Sequence, residues 1–541
     1  MGEHPDAEFH FSPRPNRAHE VRWRPWSAEA FEAARAEDKP ILLSISAVWC
    51  HWCHVMDETS YSDQQVIDIV NEQYVPVRVD NDVRPDVNQR YNMGGWPTTA
   101  FLTPEGDILT GATYMPPEQM ADALAKVSSY YRQHKPEIVA KVLEGRERAG
   151  ASAAAIAGRI DAGLVDRVLG NVESAYDATY GGFGTAPKFP QTDAIALLAE
   201  QSVVKGEPRL LDMAAHTLTQ MAGGGTYDHL EGGFFRYSTT QDWSVPHFEK
   251  MLEDHAGLLS GLALTGQAEI LDDAIRYLDT VLRDPETGLY GGSQDADEEY
   301  YSRDAAGRSQ LQAPYVDRRV YVAWNCALAI AFLEADLRLG RPRLREQALQ
   351  LLESVFERYS APDGGLLHTD GVGGQLADQV WGLLAAVRAG WNGRGRDLVR
   401  HLEDRYGDAE LGGYFDHAGG DRLGRLGERL KPLGENSLAA IAFHELGETE
   451  RAERALESVA ALPRRYGLMA AAFARALDRV RRPLIKVTTT NRELAGAALG
   501  AFPYAAVELA GDERAVICVG TLCLAPVHTP EAVAEAVSSR V

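Results

Sequence analysis

The sequence predicts a multidomain chain of α/β plus all-α class, in three parts: an N-terminal α/β domain, a central all-α ring of helical hairpins, and a small C-terminal α/β unit. Three observations carry this reading. The chain has 541 residues, too many for one ordinary core, so two or three domains are expected. Strand-like runs alternate with helical ones from residue 41 to beyond residue 117, the pattern of an α/β sheet. Past residue 160 long amphipathic helical segments take over, punctuated by Gly-Gly turns at a near-regular interval.

Composition narrows the function classes. Hydrophobic residues make up 45% and charged residues 24% of the chain, with 54 basic against 78 acidic residues and a formal net charge of −24. A surface that acidic repels phosphate backbones, so nucleic acid is not an expected partner. No apolar run reaches the roughly 20 residues that span a bilayer, and the polar start MGEHPDAEFHFSPRPNR has no signal-peptide core. Five cysteines are too few for a disulfide framework, so the expected location is a reducing cytoplasm.

The first domain, 1–146, holds the most pointed motif: Trp49-Cys50-His51-Trp52-Cys53-His54. Cys-x-x-Cys suits thiol–disulfide exchange, two Cys and two His suit zinc, and Cys-x-x-Cys-His is a haem-attachment pattern. Haem attachment normally follows export, and nothing here directs export. A structural zinc site wants four ligands, usually from two knuckles, and no second knuckle follows; no metal and no cofactor is expected. A fold-supporting but idle pair is the remaining alternative. ILLSISAV (41–48) precedes the motif as a buried-strand run, and VMDETS leads into the helical SDQQVIDIVNEQY, where Ser62 and Gln65 form a candidate capping box. YVPVRVD (74–80), TTAFLTP (98–104) and ILTGATYM (108–115) supply three more strands, and a helix starts at Pro117. This order sets Cys50 where a strand ends and a helix begins. There the helix dipole and unpaired N–H groups favour a thiolate. Cys50 is expected to be the exposed nucleophile and Cys53, less exposed, the resolving thiol. GGWPTT (94–99) places Pro97 just before a buried strand. A cis proline opposite the CxxC there keeps the strand backbone free to pair with an extended substrate, as in thioredoxin-like folds.

An Ala-rich stretch, ERAGASAAAIAGR, reads as a linker over 147–160. From 161 to 482 helical segments are expected at 161–177, 191–203, 208–221, 249–265, 269–282, 320–339, 343–358, 376–389, 395–405, 436–446 and 450–460. Gly-Gly pairs begin at 181, 232, 291, 364 and 412, so the intervals are 51, 59, 73 and 48 residues, about one helical hairpin plus its loop. That count fits a ring of six hairpins better than a solenoid. Each Gly-Gly is minimally a helix end and a turn, yet polar and aromatic residues crowd beside two of them. TYDHLEGGFFRYSTTQDWSVPHFEK carries Asp228, His229, His247 and Glu249, and LYGGSQDADEE carries Asp295 and Asp297. Flat aromatic rings with carboxylates suit a carbohydrate. Asp228 or Glu249 set against Asp295 or Asp297 would serve hydrolysis, and His229 with His247 would serve epimerisation. The alternative is that these side chains only order loops and satisfy buried helix ends.

The tail, 483–541, reads as a third unit: PLIKVTTT and AAVELA as strands, NRELAGAALGAF and PEAVAEAVSSR as helices. In VICVGTLCLAPV (516–527) a two-residue turn at Gly520-Thr521 would set Cys518 opposite Cys523. Two readings stand: a strained, reducible disulfide that exchanges with Cys50–Cys53, or two inert buried strand cysteines, which is the commoner state. Cys326 lies in an apolar helix and is expected to pack.

These motifs together carry a resemblance. DKPILLSIS, WCHWCHVM, VRVDNDVRPDV, GGWPTTAFLTPEG, PKFP (187–190), TYDHLEGGFFRYS, WSVPHFEKML, QDAD (294–297) and YGLMAAAF (466–473) resemble the spermatogenesis-associated protein 20-like family of thioredoxin-domain proteins. The stretch after QDAD and the approach to GGWP are shorter here than in that family. The resemblance implies a thioredoxin-like domain followed by an (α/α)6 toroid of the sugar-epimerase and six-hairpin glycosidase type. Three functions follow as expectations. The first is a thiol–disulfide oxidoreductase acting through Cys50, Cys53 and Pro97 on a protein disulfide or redox partner, with a toroid that binds a client or carbohydrate. The second is a sugar epimerase or glycoside hydrolase with a regulatory thioredoxin domain. The third is a non-catalytic interaction scaffold.

Overall fold

The structure, a computed structural model, describes residues 9–153 and 156–540. It divides into two compact units. One comprises Met1–Ala154, Asp295–Asp297 and Gly419–Leu430; the other comprises Ala155–Gln294, Glu298–Ala418 and Lys431–Val541.

The first unit is built on a four-stranded sheet ordered β2-β1-β3-β4. β1 (Ile41–Ser46) runs parallel to β2 (Val75–Asp80) and antiparallel to β3 (Thr98–Leu102), and β4 (Ile108–Ala112) closes the edge. All six residues of β1 are buried, as a continuous apolar and small run demands of a central strand covered on both faces. Ile41, Leu43 and Ile45 point to one layer, with Phe31 of α1 (Ala28–Glu37) and Val87 and Tyr91 of α4 (Pro85–Tyr91). Leu42 and Phe101 point to the other, with Met56 of α2 (His51–Glu58), Val66 and Val70 of α3 (Gln64–Gln73) and Leu124 of α5 (Pro117–Ala153). The strands and the α3 and α5 segments match the sequence expectation; α1 and α4 are additional. The α3 cap differs from the expected Ser62–Gln65 box. Asp63 accepts the Val66 N–H at 3.1 Å, while the Ser62 hydroxyl turns back to the Asp57 carbonyl. α5 breaks at His134, two residues before Pro136, because the proline ring and its missing N–H interrupt the ladder. Residues 147–153, expected as linker, continue this helix; 154 and 155 lie outside the described residues, as do 1–8 of the N-terminal stretch.

In the second unit twelve helices form a closed double ring. Thr192–Lys205, Leu252–Thr265, Val322–Leu339, Leu376–Arg388, Leu433–Leu446 and Ala471–Val480 pack each on the next, and the last returns to the first. Pro208–Gly223, Ala268–Tyr277, Pro342–Tyr359, Asn392–Arg405, Thr449–Glu457 and Leu164–Ala175 pack outside them, one per inner helix. This is the (α/α)6 toroid. Inner helices such as VAWNCALAIAFLEADLRL are apolar nearly all round, as burial on both sides requires, and the outer ones are amphipathic. Eleven of the twelve fall on segments expected from the sequence; Ala471–Val480, which closes the ring, does not. The Gly-Gly pairs are tighter than helix ends need. Gly232 and Gly233 both have positive φ, and a Cβ on Gly233 would lie 2.5 Å from the Tyr277 ring, so this turn admits only glycine.

The tail forms a sheet in the order Ala506–Glu508, Ile485–Thr488, Val516–Val519, Leu522–Cys523. Helices Arg492–Ala501 and Pro530–Ser538 cover one face over Ile485, Val487 and Ile517, the second helix contributing Val533, and Val204 and Leu337 of the inner ring pack against this core. Cys326 is fully buried in its inner helix as expected, and burial pushes its thiol far up. Among the described residues no helix is long and apolar enough to cross a membrane.

Candidate functional site

The chain leaves β1 at Ser46 and enters α2 through Cys50, whose extended backbone makes it the N-cap. Its Sγ accepts the Cys53 N–H at 3.1 Å and is bonded to Cys53 in a disulfide with a Cα separation of 5.2 Å. The pair therefore stands at the helix N-terminus that the strand–helix order anticipated, and the sulfurs bond to each other. One expectation is corrected. Cys50 is only 3% exposed, against 2% for Cys53, because its sulfur is turned into the first turn of α2 and not out from it.

Aromatic rings frame this turn. Trp49 donates its indole N–H to Asp82 at 2.6 Å and packs edge-on to Trp96, with centroids 5.5 Å apart. The Trp96–Pro97 peptide is cis, as the motif suggested. The GGWPTT turn is knit locally: Asn92 Oδ1 accepts the Gly94 and Gly95 N–H groups, and Thr98 Oγ1 accepts the Met93 N–H and donates to the Gly95 carbonyl. Trp52, 47% exposed, leans on Tyr114. One turn further along α2, His54 is buried with its Nδ1 3.5 Å from the Asp295 carboxylate. Burial, with His10 and Arg78 nearby, holds its pKa down to about 3, so it stands as a neutral imidazole. Beneath it the Arg78 guanidinium grips both oxygens of buried Asp57 at 2.8 and 2.9 Å, fixing α2 to β2 by a forked pair.

In the ring, the candidate residues separate into different roles. His247 Nδ1 lies 2.5 Å from Glu249 Oε2 and its ring stacks on Tyr237, which stacks in turn on Phe189. His229 is exposed, reaches the Gly224 carbonyl at 3.0 Å and packs edge-on to Tyr227. Asp295 and Asp297 group with the first unit, and Asp228 and Glu249 with the second. Asp228 is engaged elsewhere: its Oδ2 accepts from Lys250 Nζ and Arg308 Nη1, both at 2.8 Å, and its Oδ1 accepts the Leu230 and Glu231 N–H groups. These contacts hold its pKa down to about 2 against the opposing effect of burial.

That arrangement repeats around the ring. In Asp177-x-x-x-Gly181-Gly182, Asp228-x-x-x-Gly232-Gly233 and Asp408-x-x-x-Gly412-Gly413, the aspartate backbone exchanges hydrogen bonds with both glycines. A lysine ammonium then joins the carboxylate to the first glycine's carbonyl: Lys188 at 2.7 and 2.7 Å, Lys250 at 2.8 and 2.9 Å, Lys431 at 2.7 and 2.7 Å. Three copies of one staple mark Asp228 as a repeat residue in its geometry. The Gly-Gly spacing was visible in the sequence; the Asp four residues before three of the five pairs was the further signal.

Sequence reasoning also missed Asp254. It sits in the first turn of the inner helix Leu252–Thr265, and its Oδ2 is buried without a hydrogen-bond partner. Burial raises its pKa to about 7; Arg236 opposes the shift, and Glu253 and Glu249 add to it. In the next-but-two inner helix, Glu435 is raised in the same way by burial. A carboxyl titrating near neutrality within electrostatic reach of Glu249 is equipped for proton transfer.

The family model "Thioredox_DsbH: Protein of unknown function, DUF255" matches residues 14–147. Spermatogenesis-associated protein 20 of Homo sapiens is 34% identical over 314 residues, 51% of this chain and 39% of that protein, and the Rattus norvegicus protein is 35% identical over 313 residues with the same coverage. The chain thus spans about two fifths of the length of the curated relatives it matches. Among solved structures, cellobiose 2-epimerase from Bacillus thermoamylovorans B4167 aligns over 59% of this chain and 85% of its own, at 13% identity and a TM-score of 0.43. A thioredoxin from Thermus thermophilus aligns over 20% of this chain and 89% of its own, at 23% identity and a TM-score of 0.19. Scores this low add no weight, and the ring rests on its own helix order and contacts. The chain is similar to spermatogenesis-associated protein 20 across half of its own length, and its residues 14–147 match the DsbH thioredoxin family.

Proposed function

We propose that this protein is a thiol–disulfide oxidoreductase whose working couple is Cys50–Cys53. The observation that carries the reading is a bonded Cys-x-x-Cys pair whose first sulfur caps a helix. In the reduced state the α2 N-terminus stabilises a Cys50 thiolate. That thiolate attacks one sulfur of a client disulfide and expels the other as a thiolate. Cys53 then attacks Cys50 Sγ, releasing the reduced client and leaving the Cys50–Cys53 disulfide, which a thiol reductant of the compartment resets. The cytoplasm, kept reducing, suits this direction. Burial of both sulfurs favours a client disulfide carried on a narrow or unfolded segment over one set in a folded face. Cys53→Ala should leave Cys50 able to attack but unable to be resolved. Incubation with an oxidised peptide should then trap a mixed disulfide on Cys50, read by intact mass. Absence of that adduct, with Cys50 freely alkylated in the same sample, refutes the assignment.

A second reading, a carbohydrate-active ring, is favoured by Asp254. The sign of its titration is testable. Its folded pKa of about 7 lies above the unfolded value near 3.9, so between these values the folded chain holds the extra proton and stability falls as pH rises. Asp254→Asn should therefore match wild type near pH 4 and exceed it in thermal midpoint at pH 8. Parallel pH profiles would remove Asp254 as a neutral-pH acid. If the ring takes a sugar through this carboxyl, a saturable thermal shift by that sugar is lost in the same variant.

A further inference from the structure

We infer that Cys518–Cys523 is a second thiol–disulfide couple, placed on the open face of the C-terminal sheet and chemically matched to a thiol reductant. The two cysteines are bonded and stand directly opposite each other on Val516–Val519 and Leu522–Cys523, as the Gly520-Thr521 turn led one to expect. They are not the inert buried pair that was the commoner alternative. Cys523 is exposed, Cys518 half-exposed, and the neighbouring Leu522 is 63% exposed. The core of this unit, Ile485, Val487 and Ile517, lies on the other face.

Two features separate this bond from a structural cross-link. First, it closes a loop of a few residues that is already closed: Gly520 takes the left-handed turn conformation, and Leu524 N–H donates to the Ile517 carbonyl at 2.8 Å, just beyond the cysteines. The cysteines thus occupy a non-hydrogen-bonded position of the ladder. Breaking the S–S bond removes no backbone hydrogen bond, and so short a loop gives a cross-link less unfolded-chain entropy to remove than a long one. Second, Cys518 pairs on its other side with Lys486. Residues directly opposite in an antiparallel pair share a face, so the exposed Lys486 projects from the same face as Cys518, where an ammonium favours a thiolate.

The chemistry follows from that asymmetry. A reductant thiolate attacks the exposed Cys523 Sγ, forming a mixed disulfide there and breaking the bond to Cys518. The electron pair leaves on Cys518 as a thiolate beside Lys486. A second reductant thiolate attacks the reductant sulfur of the mixed disulfide and displaces Cys523 as a thiolate. Two thiols become one disulfide, the protein gains two electrons, and the two cysteine thiolates take protons from water. Reoxidation by the reductant's disulfide is the reverse.

The full-length chain carrying Cys50→Ser and Cys53→Ser isolates this couple from the one proposed above, so failure of either leaves the other standing. It is equilibrated in buffers of reduced and oxidised glutathione, alkylated, and read by peptide mass at 518 and 523. Both thiols should become labelled together as the buffer is made reducing, with circular dichroism unchanged. Adding Lys486→Gln should slow reduction about threefold, the effect of a leaving thiol raised by about one pKa unit. Reduction by glutathione assigns a low-molecular-weight thiol as donor; reduction only by thioredoxin with its reductase assigns a protein dithiol. If neither reduces the folded chain while both reduce it in urea, the bond is a structural cross-link and the inference fails. An unchanged rate in Lys486→Gln removes the part assigned to Lys486.

Discussion

Cys50→Ser is expected to bring insulin-disulfide reduction with dithiothreitol down to the uncatalysed rate, a loss on the order of 100-fold or more, because a serine hydroxyl is not ionised at neutral pH and cannot form a disulfide. The substitution isolates the chemistry. Cys50 is the N-cap of α2 and its sulfur accepts the Cys53 N–H; a serine oxygen accepts the same hydrogen bond and is among the best residues for that place. Loss of the disulfide removes a cross-link around a very short loop, about 2 kcal/mol on the loop-entropy relation, and this difference vanishes when wild type is measured reduced. Wild type and variant should therefore share a melting profile under reducing conditions while differing in turnover. If the two turn over equally, the couple does no exchange with that client class and the Cys-x-x-Cys serves the fold. Burial sets a second expectation within the same experiment: because Cys50 is almost covered, wild type should reduce unfolded, oxidised substrates faster than the same disulfides in folded proteins.

What could be read in advance followed from local chemistry, and what could not depended on tertiary context. β1 was legible because ILLSIS is apolar or small at every position, and a strand covered on both faces asks for no more. The Cys-x-x-Cys turn was legible because a capping cysteine and the Gly-Gly-Trp-Pro turn each make their contacts within a few residues. The exposure of Cys50 was not, since it depends on which way a side chain turns within an otherwise correctly placed cap. The ring was legible from glycine spacing, yet Ala471–Val480 escaped because AAFARALDRV follows YGLM without a Gly-Gly mark. Asp254 escaped for a different reason. In sequence it is one carboxylate in a run, Glu249 to Asp254, and only the fold buries its Oδ2 while leaving His247 and Glu249 paired. Asp228 drew attention through its crowded neighbourhood, but the lysine that engages it is 22 residues away, and the equivalent intervals at Lys188 and Lys431 are 11 and 23, so no fixed spacing advertises the staple.

That staple gives the second large effect. Lys250→Met is expected to destabilise the ring unit by about 3 kcal/mol, the lower end of the range for removing one partner of a buried ion pair. Lys250 is fully buried, with its ammonium against the Asp228 carboxylate and the Gly232 carbonyl and 4.4 Å from the Tyr277 ring centroid. Methionine fills the space but donates nothing, so the Gly232 carbonyl loses its lysine donor and Asp228 retains only Arg308 as a cationic partner. Arg308, still at 2.8 Å, keeps the loss from reaching the upper end of that range. Removing the buried charge as well should recover part of it: Lys250→Met with Asp228→Asn should lose less than the sum of the two single changes, since the residues share one network. The three copies also predict an order. The aspartate side chains at 228, 177 and 408 are 1%, 8% and 14% exposed, and a more solvated carboxylate suffers less when its partner goes. Thermal midpoints should therefore fall most in Lys250→Met, less in Lys188→Met and least in Lys431→Met. A reversed order would mean that the staples differ by packing and not by charge burial. No change at 250 would mean that Arg308 and the Leu230 and Glu231 N–H groups suffice to hold Asp228.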